Sequence, residues 1–394
     1  MSGVGLVLLR AALCAGLIGA AHAEAHGTAQ WKGSKVTTDA LPAAFPTAAV
    51  PAIELWSPWA LEHGFKLELE VSGRALIVVG ADAGAGKWVK AAENALRALD
   101  EHLPAPAREG APGDGTPKPK GAGGAIPEDP GSGGSTSAPS GKPATTTWGA
   151  GTHALDTETF VLFVLRTENE HKALLDRMVE IAPYLGPWRA GAESLPGFAL
   201  EEPLAGAVVL GARGQQEWNP ENEAVHRAAE LSLMRRFGRQ PYWLLQGWAW
   251  SVELSVKRGI YCFPYRSGFV GVGEHTGWDK QLKLEWAVGA PTMVELGALR
   301  RGAWDARAAH AAWGTVTFLE RYYGAGFVGA LEQLRAAWDS GSRRELGGGR
   351  WEREADYQVP AEQQFKILAA HTSANFLAEV RGYFQNGSSY RPGR

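Results

Sequence analysis

The sequence predicts an α+β domain, and three observations carry that reading. Two short apolar runs, 75–79 (ALIVV) and 159–166 (TFVLFVLR), have the β-branched content and length of buried strands. Each is followed by a segment with helical spacing of apolar residues, at 87–102 and 167–184. Beyond residue 290 the pattern is helical almost throughout.

Taken in order, the first 23 residues read as a secretory signal. Arg10 is followed by the small, apolar stretch 11–21, and Ala21-His22-Ala23 fits an A-x-A cleavage site. The apolar run is too short to span a bilayer, and no later segment reads as transmembrane. Residues 24–52, mixed and carrying several prolines, are expected to be extended. One domain is expected over 53–385, with strands at 66–71 and 74–79 and the helix at 87–102. The Gly-rich junction 80–87 (GADAGAGK) lies between strand and helix, as a phosphate-binding loop would. However, five residues rather than four separate Gly80 from Gly86, and Trp88 stands where a magnesium-binding Ser or Thr is needed, so it reads as a plain turn.

Residues 104–152 are rich in Pro, Gly, Ser, Ala and Thr. Such a composition buries too little apolar surface to offset chain entropy, and the segment reads as a disordered insertion within one domain. Thr167 is placed to cap the next helix, with Glu168 and Glu170 near its positive end. A strand is expected at 205–210. After the motif region come a turn and helix at 291–299 and helices at 306–323, 326–337, 361–371 and 375–384. Gly324 is expected to stop the first of these four. Residues 386–394 form a tail.

The 394 residues are 45% apolar and 21% charged, with a formal net charge of −3 and no basic run, so nothing points to a nucleic-acid surface. Cleavage of the signal would remove Cys14 and leave Cys262 as the sole thiol, which excludes an intrachain disulfide. The 16 tryptophans admit two readings, a Trp-rich core or an aromatic groove for peptide or sugar.

The chemistry-bearing stretch is 222–253, NEAVHRAAELSLMRRFGRQPYWLLQGWAWSVE. A zinc-peptidase helix carries H-E-x-x-H: two His on one face and a Glu as general base. Here the five residues are His226-Arg227-Ala228-Ala229-Glu230. The next helix of such a site carries W-L-x-E-G-x-A, with the Glu as third ligand. Here the phrase is Trp243-Leu244-Leu245-Gln246-Gly247-Trp248-Ala249.

This pattern resembles the gluzincin peptidases, in particular the peptidase-MA-like domains of secreted bacterial proteins. The resemblance implies a zincin-like α+β fold over most of 53–385: a small mixed β-sheet whose last strand before the metal-motif helix is an edge strand, then a helical C-terminal half. It also implies that the catalytic positions have degenerated at Arg227, Glu230 and Gln246. Arg227 cannot serve as a base, and its charge opposes a divalent cation. No zinc or other cofactor is therefore expected. Were a metal present, the candidate ligands would be His226, Glu230, Gln246 and Glu253.

The expected alternative to a metal site is a buried polar network pairing Glu230 with Arg227 and Gln246 with His226. The leading reading of function is an exported pseudopeptidase. Its old cleft, lined by Trp243, Trp248 and Trp250, would bind extended peptide or cell-envelope polymer. Two other readings stay open: an active hydrolase (a metallopeptidase with altered ligands, or a glycosidase using Glu230 and Glu253) and a structural envelope protein. His275, His310 and Cys262 read as structural residues, and no Gly-x-Ser-x-Gly elbow is present.

Overall fold

The structure is a computed structural model that describes residues 27–104, 158–210, 219–262, 275–290, 292–299, 304–347, 350–354 and 357–386. The expected signal segment 1–23 lies outside them, as do all but Pro104 of the expected insertion and all but Asn386 of the tail.

The chain is α+β. In order it forms β1 (Thr28–Trp31), β2 (Ser34–Thr37), α1 (Val50–Glu62), β3 (Phe65–Leu69), β4 (Ala75–Gly80), α2 (Gly86–His102), β5 (Phe160–Leu165), α3 (Glu168–Ile181), α4 (Gly186–Ala192), β6 (Gly197–Leu200) and β7 (Ala205–Val209). There follow α5 (Pro220–Phe237), α6 (Tyr242–Lys257), α7 (Trp278–Val288), α8 (Met293–Gly297), α9 (Ala306–Gly341), β8 (Arg343–Gly347), β9 (Arg350–Arg353), α10 (Ala361–His371) and α11 (Phe376–Asn386). No helix of the described residues is long and apolar enough to cross a membrane.

Seven strands form one mixed sheet in the order β2-β1-β3-β4-β5-β7-β6. The parallel pairs are β1 with β3, β4 with β5 and β5 with β7. The continuous apolar runs are explained by the central strands. Both β4 and β5 are buried along their whole length, because helices cover the two faces. Ile77, Val79, Leu162 and Val164 face one core with Trp88 and Leu96 of α2 and with α5. Leu76, Val78, Val161 and Phe163 face the other with Trp56 and Trp59 of α1 and Leu174 and Met178 of α3.

Four expectations are corrected. Residues 24–52 are not merely an extended lead-in. Lys32 and Gly33, both at positive φ, turn the chain so that β1 and β2 pair and join the sheet, and α1 begins at Val50. The strand at 205–209 is not the sheet edge, because β6, too short to be read in the sequence, pairs antiparallel outside it. The helices expected at 306–323 and 326–337 are one helix of 36 residues, α9. A glycine stops a helix by taking up positive φ, and Gly324 does not. Gly326 has a packing role instead: a Cβ there would stand 2.1 Å from the His371 carbonyl oxygen at the end of α10. Finally, α7 and the β8–β9 hairpin had no counterpart among the expected elements.

Candidate functional site

Helix α5 is built to start where it does. The Asn219 side chain accepts from the amides of Glu221 at 3.0 Å and Asn222 at 3.3 Å, and Pro220 occupies the first turn. The helix runs between the sheet, α2 and α6, so nearly its whole circumference is covered. Its polar residues must therefore find partners inside the protein. Pro241 leads directly into α6, which packs across α5 and supplies those partners.

The expected site residues do come together. His226 Nδ1 lies 3.1 Å from Glu253 Oε2, and His226 Nε2 lies 3.2 Å from Gln246 Oε1. Gln246 Nε2 donates to Glu230 Oε1, and Arg227 Nη1 donates to Glu230 Oε2 at 2.7 Å. The two pairings read from the sequence, Glu230 with Arg227 and Gln246 with His226, are thus both present. Arg227 also reaches back one turn, with Nε and Nη2 donating to Glu223 Oε1 at 2.9 and 2.8 Å and Nη2 contacting Cys262 Sγ at 3.3 Å. Gly197 on β6 leaves room for Glu223, since a Cβ there would stand 2.5 Å from its Oε1.

Glu253 is held by four donors or ring contacts. Asn222 Nδ2 donates to its Oε1 at 2.8 Å, the amides of Tyr261 and Cys262 at 2.6 and 3.1 Å, and His226 faces its Oε2. Sequence reasoning did not include Asn222, Glu223 or Cys262. The first two carried a usable signal, because Asn222 and Glu223 precede His226 and Arg227 by one helical turn each. Cys262 carried none.

The site is closed. His226 and Glu253 are 0% exposed, Gln246 1%, Glu230 2% and Arg227 5%. Burial works against the charge of Glu223, but the Arg227 guanidinium, the Cys262 thiol and His226 together outweigh it and hold the carboxyl below its usual range. Burial likewise opposes the charge of Arg227, and its anionic neighbours, Glu230 and Glu223 among them, more than restore it. Burial pushes the Cys262 thiol well above its ordinary range; Arg227 pulls it down, and Glu223 and Glu253 add to the rise.

Nor is there an aromatic groove at the expected place. Trp243, Trp248 and Trp250 are at most 1% exposed. Their ring N–H groups donate inward, to Gln364 Oε1 at 2.9 Å, the Ala229 carbonyl at 3.2 Å and the Cys262 carbonyl at 2.7 Å. This corrects the expectation that these rings line a cleft: α9, α10 and the chain at Cys262 pack onto the faces that would have been open.

The donor set does not suit a divalent cation. Both ring nitrogens of His226 and both oxygens of Glu230 already have partners, and a cation at Glu230 would meet a guanidinium at contact distance. Among the described residues no group of three His, Cys, Asp or Glu side chains converges as a metal site would. What the arrangement does chemically is hold α5 to α6 through buried, mutually satisfied charges. Comparison with family models, with curated proteins and with solved structures finds no match.

Proposed function

We propose that this chain is an exported, zincin-like pseudopeptidase, in which a structural hydrogen-bond network occupies the place of a zinc site. The observation that carries the reading is the position of Arg227. It stands where the general base of an H-E-x-x-H helix belongs, and its guanidinium is clamped between Glu223 and Glu230. A group that keeps its proton at any accessible pH cannot activate water.

The geometry around it supports a zincin-like ancestry. Positions 226, 230 and 246, on two helices, are joined side by side through the His226–Gln246 and Gln246–Glu230 hydrogen bonds, as neighbouring ligand positions of such a motif would be. Peptide or polymer binding through Trp243, Trp248 and Trp250 is not part of the proposal, since those rings are buried. Their burial favours instead a filled cleft in which these rings serve as core.

Metal content tests the reading directly. Protein purified after growth with zinc is expected to contain no stoichiometric metal and to unfold identically with and without chelator. One zinc per chain would overturn the proposal and return His226, Glu230, Gln246 and Glu253 as ligands. The ancestry has its own test in the triple variant Arg227→Glu, Glu230→His, Gln246→Glu, which is expected to bind one zinc. A variant that folds but binds none would sink the zincin-like reading.

A further inference from the structure

Away from the α5–α6 network, one buried carboxyl has an incomplete set of partners. Glu320 lies midway along α9, with its side chain 7% exposed. Ser251 of α6 donates to Glu320 Oε1 at 2.8 Å, and Thr317, one turn earlier on α9, donates to Ser251 Oγ at 3.3 Å. Glu320 Oε2 has no hydrogen-bond partner. From α2 the facing group is His102, its side chain 42% exposed, with Nδ1 3.9 Å from Glu320 Oε1. That gap is too long for a direct hydrogen bond and is the kind a water bridges. Burial and the Ser251 hydroxyl are what act on its charge. A carboxylate in this place, with one neutral hydroxyl as its donor, is strongly disfavoured, whereas the protonated acid is not.

We propose that Glu320 and His102 form a proton-operated latch at the junction of α2, α6 and α9. The latch is closed while Glu320 carries its proton and released when that proton leaves to solvent. In the closed form Glu320 is itself a donor, and a single water in the gap carries that bond on to His102 as the acceptor. After ionisation the buried oxygens require water, which enters on the half-exposed His102 side and loosens the end of α2. The release is local, because Arg236 Nη1 separately holds the Leu103 carbonyl.

The direction with pH follows from the proton balance. Burial pushes the pKa of Glu320 up to about 8, against a smaller lowering by the Ser251 bond. Between the ordinary carboxylate range and that value, the closed form holds a proton that the open form has lost. Closure therefore weakens as pH rises, and from pH 7 to pH 9 the opening equilibrium should grow about tenfold.

Amide hydrogen exchange on the full chain, corrected for intrinsic rate, reads this at residues 98–103. Wild-type protection is expected to fall about tenfold from pH 7 to pH 9. In Glu320→Gln, a near-isostere of the protonated acid, it is expected to stay level. His102→Ala, at a half-exposed site that leaves folding intact, is expected to lower protection already at pH 7. Level protection in the wild type, a pH-dependent loss that persists in Glu320→Gln, or a His102→Ala variant indistinguishable from wild type would each overturn the latch.

Discussion

Arg227 shows how a single buried charge ties two helices into one unit. All three of its nitrogens are engaged, in four contacts to Glu223, Glu230 and Cys262, and each carboxylate it serves is also an acceptor for, or packed against, another member of the network. Removing it leaves two carboxylates buried without a counter-charge. Arg227→Met should therefore cost about 3–5 kcal/mol in urea unfolding; a loss below ~1 kcal/mol would mean that the network is not structural. His171 is a second buried base, kept neutral where Arg227 is kept charged. It stacks on Phe198, its Nε2 has no partner, and burial holds its pKa down at about 4 against a weaker upward pull from Glu193. The unfolded chain takes up a proton at about pH 6.5 and the native chain does not, so stability present at neutral pH is lost as pH falls from about 6.5 toward 4. The loss is at most roughly 3 kcal/mol. His171→Phe should flatten that part of the stability profile while leaving the value at pH 7 within about 1 kcal/mol.

At this scale the site was largely legible. Spacing along one helix is fixed by its pitch, so Arg227 and Glu230 could be paired from sequence alone. Gln246 was placed through the motif phrase on the following helix. Cys262 was not legible, because its position depends on how the chain returns after α6.

At the scale of elements, α9 illustrates where sequence signals mislead. Gly324 in the run Glu320-Arg321-Tyr322-Tyr323-Gly324 looks like a stop, yet the helix continues to Gly341. The two glycines of the Gly324-Ala325-Gly326 stretch are there for different reasons, and substitution separates them. A Cβ at position 324 would meet nothing within 4 Å, whereas at position 326 it would strike the backbone of His371. Gly324→Ala should therefore stabilise by about 0.5–1 kcal/mol, as helix propensity dictates. Gly326→Ala should destabilise by about 1–3 kcal/mol by forcing α10 away. Thermal unfolding of the two variants checks both signs, and a shared sign would refute the packing argument. Strands were legible where they are fully buried and lost where they are short: β4 and β5 announce themselves by composition, whereas the four residues of β6 carry no pattern that length could support.

At the scale of the molecule, the sheet divides the interior into two cores, and the tryptophans distribute between them. Trp56 and Trp59 pack under the sheet with Phe163, while Trp250, Trp278, Trp304 and Trp313 pack against one another among the C-terminal helices. Trp abundance was legible, but its destination was not, since the same rings serve a groove or a core and only tertiary packing decides. The joining of β4 to β5 also bears on how the chain is made. These neighbours at the sheet centre are separated in sequence by everything from Ala81 to Thr159. A wide sequence separation between paired strands raises contact order and slows folding. During synthesis, β4 must wait with an open edge until residue 160 has left the ribosome, and an open edge can capture other chains.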